Sequence, residues 1–326
     1  MKRDADPSFH VADDDAAALY ARLIKRLGRN AREGAHGPID DADAHALWRA
    51  LLARRFTPAQ EAALLMGLRV HGEGPVVLAA FARATRESMA TAPCAPAGTT
   101  PVVLHCLGSA RREPVLAPLL ALQLAARGVP VMLMTHDANR GVSAAEVLHH
   151  LGLVPATTTA SVTTQLASKR FTWWPIESAA PAFARLLALR SGLGFRNSAH
   201  SAVKLWSPLA GRSLIVANYT HAPYRSTFAQ AVERLGSTAL LVRGTEGDPI
   251  AWHSAAHPPL AWCDGVALDL PAPTPSASDE ESLPAAHDLA ATVAHTQEVL
   301  QGARATPRAV AAQVDLLALL ARECTR

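Results

Sequence analysis

The stretch PVVLHCLGSARRE, residues 101–113, decides how this chain is read. Pro101–Leu104 is short and apolar, as a buried strand is, and Val115–Arg127 carries a helical pattern. Between them lies the turn in which parallel α/β proteins cradle phosphate. Glycines there let backbone N–H groups close on the oxygens, and the helix N-terminus adds a partial positive charge. Here one glycine, Gly108, remains, and Arg111 and Arg112 follow it. Two guanidinium groups bind phosphate oxygens by charge, yet they fill much of the space a small bound molecule needs.

Working outward, strand and helix signals alternate. Val129–Thr135 reads as a second buried strand. Ser143-Ala144-Ala145-Glu146 is a capping box before a helix that ends at Gly152. Pro181–Leu193 and Ser198–Trp206 read as helical. Ser213–Ala217 and Ala239–Val242 are apolar strands flanking a helix, Tyr224–Leu235. Leu260–Leu270 reads as one strand, residues 271–284 as a Pro/Ser/acidic loop, and two helices close the chain. This alternation predicts a mainly parallel sheet with helices on both faces. Upstream, the first 90 residues read as helices alone, followed by a linker at 90–100. Asp13-Asp14-Asp15 opens a helix with Leu19, Tyr20, Leu23, Ile24 and Leu27 on one face. Asp40-Asp41 opens a second with Ala44, Leu47, Trp48, Leu51 and Leu52 inward. Thr57-Pro58-Ala59-Gln60 opens a third that ends at Gly72, and Pro75 starts a fourth. The expected fold class is α/β: a small helical domain plus a large α/β domain with a mainly parallel sheet.

Composition narrows the function. The chain has 326 residues and is 49% hydrophobic, enough for sizeable cores. A formal net charge of +3 is mildly basic and does not by itself identify a nucleic-acid binder. Only Lys2, Lys25, Lys169 and Lys204 are lysines among 31 cations, so arginine, the better bidentate partner for phosphate, dominates. Cys94, Cys106, Cys263 and Cys324 share no metal-like spacing and read as free thiols in a reducing cytoplasm. No apolar run reaches membrane-spanning length, and the acidic N-terminus does not read as a signal peptide. No metal site or cofactor is expected from the scattered histidines.

Several motifs, in order, resemble one enzyme family. Leu51–Glu73, with Thr57-Pro58-Ala59-Gln60 and Leu65-Met66-Gly67-Leu68-Arg69-Val70-His71-Gly72-Glu73, resembles the N-terminal helical domain of anthranilate phosphoribosyltransferase. Arg190-Ser191-Gly192-Leu193-Gly194-Phe195-Arg196, with Pro208 twelve residues on, resembles its anthranilate loop. Arg243-Gly244-Thr245-Glu246-Gly247 resembles the glycine turn before its magnesium carboxylates. The resemblance implies a helical domain over residues 10–90, completed by about 178–209, and an α/β domain over 100–177 plus 210–326. It also implies a homodimer formed through the helical domain.

The catalytic parts depart from that pattern. Leu107-Gly108-Ser109-Ala110-Arg111 stands where the family has its diphosphate loop. Thr135-His136-Asp137-Ala138-Asn139-Arg140 stands in place of its Lys-His-Gly-Asn-Arg stretch, and Pro249-Ile250 in place of its Asp-Glu pair. A phosphoribosyl diphosphate needs metal ions and a donor-lined pocket to offset its charge. The departures themselves, at Leu23–Arg32, Gly108–Arg112, His200–Leu205 and Leu241–Gly247, resemble the YbiB-type paralogues of the transferase. That resemblance implies a non-enzymatic homodimer that binds DNA and RNA. Affinity would then come from cations along a phosphate track. The candidates are Lys25, Arg29, Arg32, Arg111, Arg112, Lys169, Arg170, Arg196 and Lys204. Trp173-Trp174 could offer a stacking face, although strand alternation puts at least one of them in the core. His136 and His200 read as hydrogen-bonded structural histidines. The expectation is sequence-independent nucleic-acid binding by a cytoplasmic homodimer with no membrane contact. The alternatives are a phosphoribosyl- or nucleoside-transferring enzyme with an altered substrate, and a small-anion sensor.

Overall fold

Four helices precede any strand: α1 (Asp14–Leu27), α2 (Asp41–Leu52), α3 (Pro58–His71) and α4 (Pro75–Glu87). The computed structural model describes residues 14–28, 39–108, 113–136, 141–244, 248–251, 258–270 and 283–325. The helix boundaries follow local chemistry. Asp40 caps α2 by accepting from the Asp43 N–H. Thr57 and Gln60 form a reciprocal capping box on α3, and Gly72 ends that helix with φ of +87°, a conformation glycine adopts without a Cβ penalty. Leu23 and Leu27 of α1, Leu47 and Leu51 of α2 and Leu64 and Leu68 of α3 share one core.

Trp48 is its centre. Its ring stacks on Phe81 at 4.1 Å and meets Phe183 edge-on at 6.0 Å, while its Nε1 donates to Thr85 Oγ1 at 2.8 Å. Deleting a fully buried aromatic leaves a cavity, and the Thr85 hydroxyl loses its donor while still donating to the Phe81 carbonyl at 2.9 Å. Trp48→Ala is expected to lower stability by about 3–5 kcal/mol, measured as a fall in the urea-unfolding midpoint at unchanged slope.

The rest of the chain builds the sheet. In order come β1 (Val102–Cys106), α5 (Ala117–Ala126), β2 (Val131–Thr135), α6 (Ala144–His150), α7 (Thr159–Lys169) and β3 (Phe171–Pro175). Short helices follow: α8 (Ile176–Ala179), α9 (Pro181–Ala188), α10 (Arg190–Leu193) and α11 (Ala199–Ala202), then a 3-10 turn, Val203–Leu205. The chain continues through β4 (Leu214–Tyr219), α12 (Pro223–Leu235), β5 (Thr238–Arg243), β6 (Leu260–Cys263), β7 (Val266–Leu268), α13 (Leu289–Leu300) and α14 (Arg308–Glu323). The strand order is β3-β2-β1-β4-β5-β6-β7; β1 to β5 pair in parallel and β6 and β7 antiparallel.

Alternation along each strand feeds two cores. Val103, Met132, Trp174, Ile215 and Leu241 face the core shared with the N-terminal helices, α9 and α12. Leu104, Leu133, Trp173, Val216 and Leu240 face the core under α5, α6 and α14. The mid-chain helices bind the N-terminal ones directly: Arg185 of α9 donates to both Glu61 oxygens, at 2.8 and 2.9 Å, and to the Leu51 carbonyl at 2.6 Å.

One local expectation is corrected, and one helix appears where sequence reading placed none. Leu260–Leu270 is a hairpin, not one strand. Asp264 and Gly265, at φ of 49° and 79°, form its turn, and this Asp-Gly pair is the residue combination such tight turns favour. The helix α7 does not show in the pattern because Thr159, Thr163, Thr164 and the serines beside them are weak helix formers. It forms because Thr158 and Ser161 cap it reciprocally and Val162 and Leu166, four residues apart, are buried together.

Candidate functional site

The chain leaves β1 toward β2 on one side and returns to β4 on the other. In an open parallel sheet that reversal opens a crevice at the carboxyl ends of the two strands, where ligands bind. At this point β1 ends in His105 and Cys106 and β4 ends in Asn218 and Tyr219. The fold therefore selects these side chains.

Asn218 organises the crevice. Its Nδ2 donates to the Asp248 carbonyl at 3.0 Å, and its own carbonyl accepts from Lys204 Nζ at 2.8 Å. Gly244 lets these groups approach: a Cβ there would lie 2.6 Å from the Asp248 carbonyl oxygen and 2.8 Å from Asn218 Nδ2. The Asp248 side chain turns to α5 and accepts from the Leu116 N–H at 3.0 Å. A carboxylate thus sits at the start of the very helix whose N-terminus would receive a phosphate. The Cys106 sulfur takes the N–H groups of Gly108 and Ala144, which pins the start of the turn after β1; burial pushes this thiol well up.

The ionisable groups here are driven toward neutrality. Burial, with the Arg196 charge adding to it, lowers the Lys204 ammonium to about 7. Burial and then Lys204 lower His105 to about 3. Burial, then Arg196 and Arg190, lower His200 to about 3. Burial raises Asp248 to about 7, against the N–H groups of Leu116 and Ala117. Among the described residues, both ring nitrogens of His105, Asn218 Oδ1 and Asp248 Oδ1 are buried with no hydrogen-bond partner. A cluster of unfilled polar atoms beside cations that repel one another lends itself to an anion. A His105 ring N–H and the Lys204 ammonium would donate to bound phosphate oxygens, which would restore the charge on Lys204, whereas Asn218 Oδ1 can only accept.

The candidate residues fall in separate places. Arg196 and Lys204 meet at the crevice. Lys169 and Arg170 lie at the opposite end of the sheet, since they precede β3, and the Arg170 carbonyl accepts from Val131 N, at the start of β2. Arg170 holds the left-handed conformation that ends α7. Lys25 is exposed on α1, whereas its neighbours Arg22 and Arg26 are bound to Asp43 at 2.6 and 2.7 Å. Arg29, Arg32, Arg111 and Arg112 lie outside the described residues. Trp173 and Trp174 are both buried, one in each core, and Trp173 Nε1 donates to Thr135 Oγ1 at 2.9 Å; they present no stacking face. His136 bonds Glu177 at 2.6 Å and His200 faces the Asn197 carbonyl at 3.3 Å. Among the described residues, no group of three or more His, Cys, Asp or Glu side chains is placed to hold a metal ion.

Sequence reading missed Asn218 and Asp248. The available signal was a polar residue closing the apolar run of β4 and an acid immediately before Pro249.

Comparison with known proteins matches the fold. Residues 21–89 match the helical bundle domain of the glycosyl transferase family. The Escherichia coli protein YbiB is 27% identical over 300 residues, 90% of this chain and 92% of that one. Anthranilate phosphoribosyltransferase of Thermus thermophilus is 28% identical over 225 residues, 65% of this chain and 64% of the enzyme. The crystal structure of that enzyme superposes with a TM-score of 0.71 at 22% identity, covering 94% of this chain and 89% of the other. The Saccharomyces cerevisiae enzyme, solved in complex with PRPP and Mg, superposes at 0.69 with 14% identity, covering 94% and 91%; a likeness that distant speaks for the fold alone. Among the described residues no helix is long and apolar enough to cross a membrane.

Proposed function

We propose that this chain, a YbiB-type relative of anthranilate phosphoribosyltransferase, is a non-enzymatic cytoplasmic homodimer that binds DNA or RNA with little sequence preference. The observation that carries the reading is the charge of the crevice. Arg196 acts on both Lys204 and His200 there, Arg190 acts on His200, and burial raises the Asp248 carboxyl to about 7. Arg111 and Arg112 enter the same turn in sequence. Such a surface attracts a polyanion and has no base-reading motif to discriminate among sequences.

The same residues are a poor match for a magnesium-bound diphosphate. Pro249 and Ile250 offer no oxygen from a side chain, and the Asp248 carboxyl is turned to the α5 backbone. A metal ion of this kind is held by carboxylate oxygens, so these residues do not fit a magnesium ion. One observation favours a second reading, a small-anion sensor: Lys204 is only partly open to solvent, within reach of a single phosphate group rather than a strand.

Titration with labelled oligonucleotides of unrelated sequence at several salt concentrations tests the reading. Affinity should fall steeply with salt and hardly change with sequence. For single strands the log–log slope should be about −0.7 per phosphate contacted, so five contacts give roughly −3.5. Binding that ignores salt would end the nucleic-acid reading and favour the small anion. Magnesium-dependent micromolar binding of phosphoribosyl diphosphate, seen by calorimetry, would overturn the non-enzymatic part.

A further inference from the structure

At the opposite end of the sheet from the crevice, two cysteines 61 positions apart in sequence come together. Cys263 ends β6, and Cys324 caps the C-terminal end of α14. One guanidinium fixes both. Arg212 donates through Nε and Nη2 to the Asp264 carboxylate, at 3.0 and 2.5 Å, and through Nη1 to the Cys324 carbonyl at 2.6 Å. Asp264 directly follows Cys263 and is held again by Thr238, whose Oγ1 lies 3.1 Å from Asp264 Oδ1. The shared Arg212 clamp brings the two thiols near enough for Cys263 to act on Cys324. Cys263 is half-buried and Cys324 is 2% exposed, so only the first meets a reagent from solvent. No third ligand converts the pair into a metal site among the described residues.

We propose that Cys263 and Cys324 are a thiol–disulfide exchange site that a low-molecular-weight disulfide converts into an internal disulfide. The Cys263 thiolate attacks one sulfur of the small disulfide, forms a mixed disulfide and releases one small thiolate. Cys324 then loses its proton to solvent, attacks Cys263 Sγ and expels the second small thiol. Two protein thiols are oxidised, and one small disulfide is reduced to two thiols. Burial, and then Cys263 beside it, push the free Cys324 thiol up to about 12, which keeps it from reacting first. Capping Cys263 removes the neighbouring anion, and the Arg212 charge beside Cys324 then favours the resolving thiolate. The bond would tie the last helix to the β6–β7 hairpin, so a reducing compartment leaves the pair open and an oxidising shift closes it.

The test treats the reduced, full-length protein with excess oxidised glutathione under native conditions, followed by alkylation, thiol counting and non-reducing peptide mapping. Cys94 is exposed and serves as the internal control for reagent activity, while Cys106 is buried. The wild type should show a peptide cross-linked through Cys263 and Cys324, with both thiols consumed together and no glutathione retained on either. Cys324→Ser should trap glutathione on Cys263, and Cys263→Ser should leave Cys324 unmodified. Stable glutathione on Cys263 of the wild type, with Cys324 still free, would overturn the proposal. So would two reduced thiols under conditions that modify Cys94. Neither outcome bears on nucleic-acid binding, because the pair lies away from the crevice.

Discussion

Asp248→Asn and Lys204→Met should each raise stability, and in opposite pH windows. Asp248 is 7% exposed, and burial raises its carboxyl from 3.8 to about 7. Between those values the unfolded chain releases a proton that the fold keeps. The contribution is therefore full below about pH 4 and is lost as pH rises through 7. Asparagine is neutral throughout and keeps an oxygen for the Leu116 N–H, so its advantage grows across that window and is complete above it. Lys204 runs the other way. Burial, and then Arg196, lower its ammonium from 10.5 to about 7. Its contribution is full above the unfolded value and is lost as pH falls through 7. The shifts correspond to ceilings of roughly 4–5 kcal/mol, and the part of Lys204 open to solvent reduces its share by screening. Lys204→Met also orphans the Asn218 carbonyl, at a cost of about 1–3 kcal/mol. The expected net gain is about 1–3 kcal/mol near pH 5, turning to a small loss near pH 10. For Asp248→Asn the gain is small near pH 5 and about 1–3 kcal/mol near pH 9. His105 and His200, lowered from 6.5 to about 3, change stability between those values, so each variant is compared with wild type at the same pH. Urea midpoints of the three proteins at these pH values decide the matter; curves that stay parallel would mean that neither group is held off its ordinary pKa.

That pair also marks where sequence reading stops. The helical caps at Thr57 and Ser143 and the apolar runs of β1, β2, β4 and β5 were legible because each depends on neighbours within a few residues. The Asp264-Gly265 turn was equally local, yet it was absorbed into a longer apolar run. α7 was not legible, since packing of Val162 and Leu166 overrides the propensity of its threonines. The candidate site divides in the same way. Cations can be counted in a sequence, but their surroundings cannot. Arg22 and Arg26 are tied to carboxylates from another helix, and Lys204 turns its ammonium onto a strand carbonyl. The roles of Asn218 and Asp248 arise only where strand ends converge, and the Cys263–Cys324 pairing joins elements separated by most of the C-terminal third of the chain.

Charge reversal at the two ends of the sheet should have unequal effects on nucleic-acid binding. Arg196 is exposed and acts on Lys204 at the crevice, whereas Lys169 is exposed at the far end of the same sheet. The strands between them are five to six residues long, so the two ends lie on the order of 15 Å apart along the strand direction alone. That is about twice the Debye length at physiological salt, where exposed charges no longer act on one another. A strand bound at the crevice would therefore be indifferent to Lys169→Glu. By contrast, Arg196→Glu at the crevice, and Arg111→Glu with Arg112→Glu between β1 and α5 in sequence, would replace attraction by repulsion if these cations meet phosphate. For every phosphate that is no longer neutralised, the single-strand salt slope should flatten by about 0.7, and affinity near 0.1 M salt should fall roughly tenfold or more. The effect should be the same for every oligonucleotide, because cations on phosphate position the strand without specifying its sequence. Unfolding midpoints of the variants, measured alongside, separate weaker phosphate binding from a damaged fold. If Lys169→Glu weakens binding as much as the crevice variants do, the nucleic acid wraps the sheet end to end and the crevice is not its seat. If the crevice variants bind as tightly as wild type at two salt concentrations, the remodelled turn has no part in binding, and Lys25 on α1 becomes the next position to reverse.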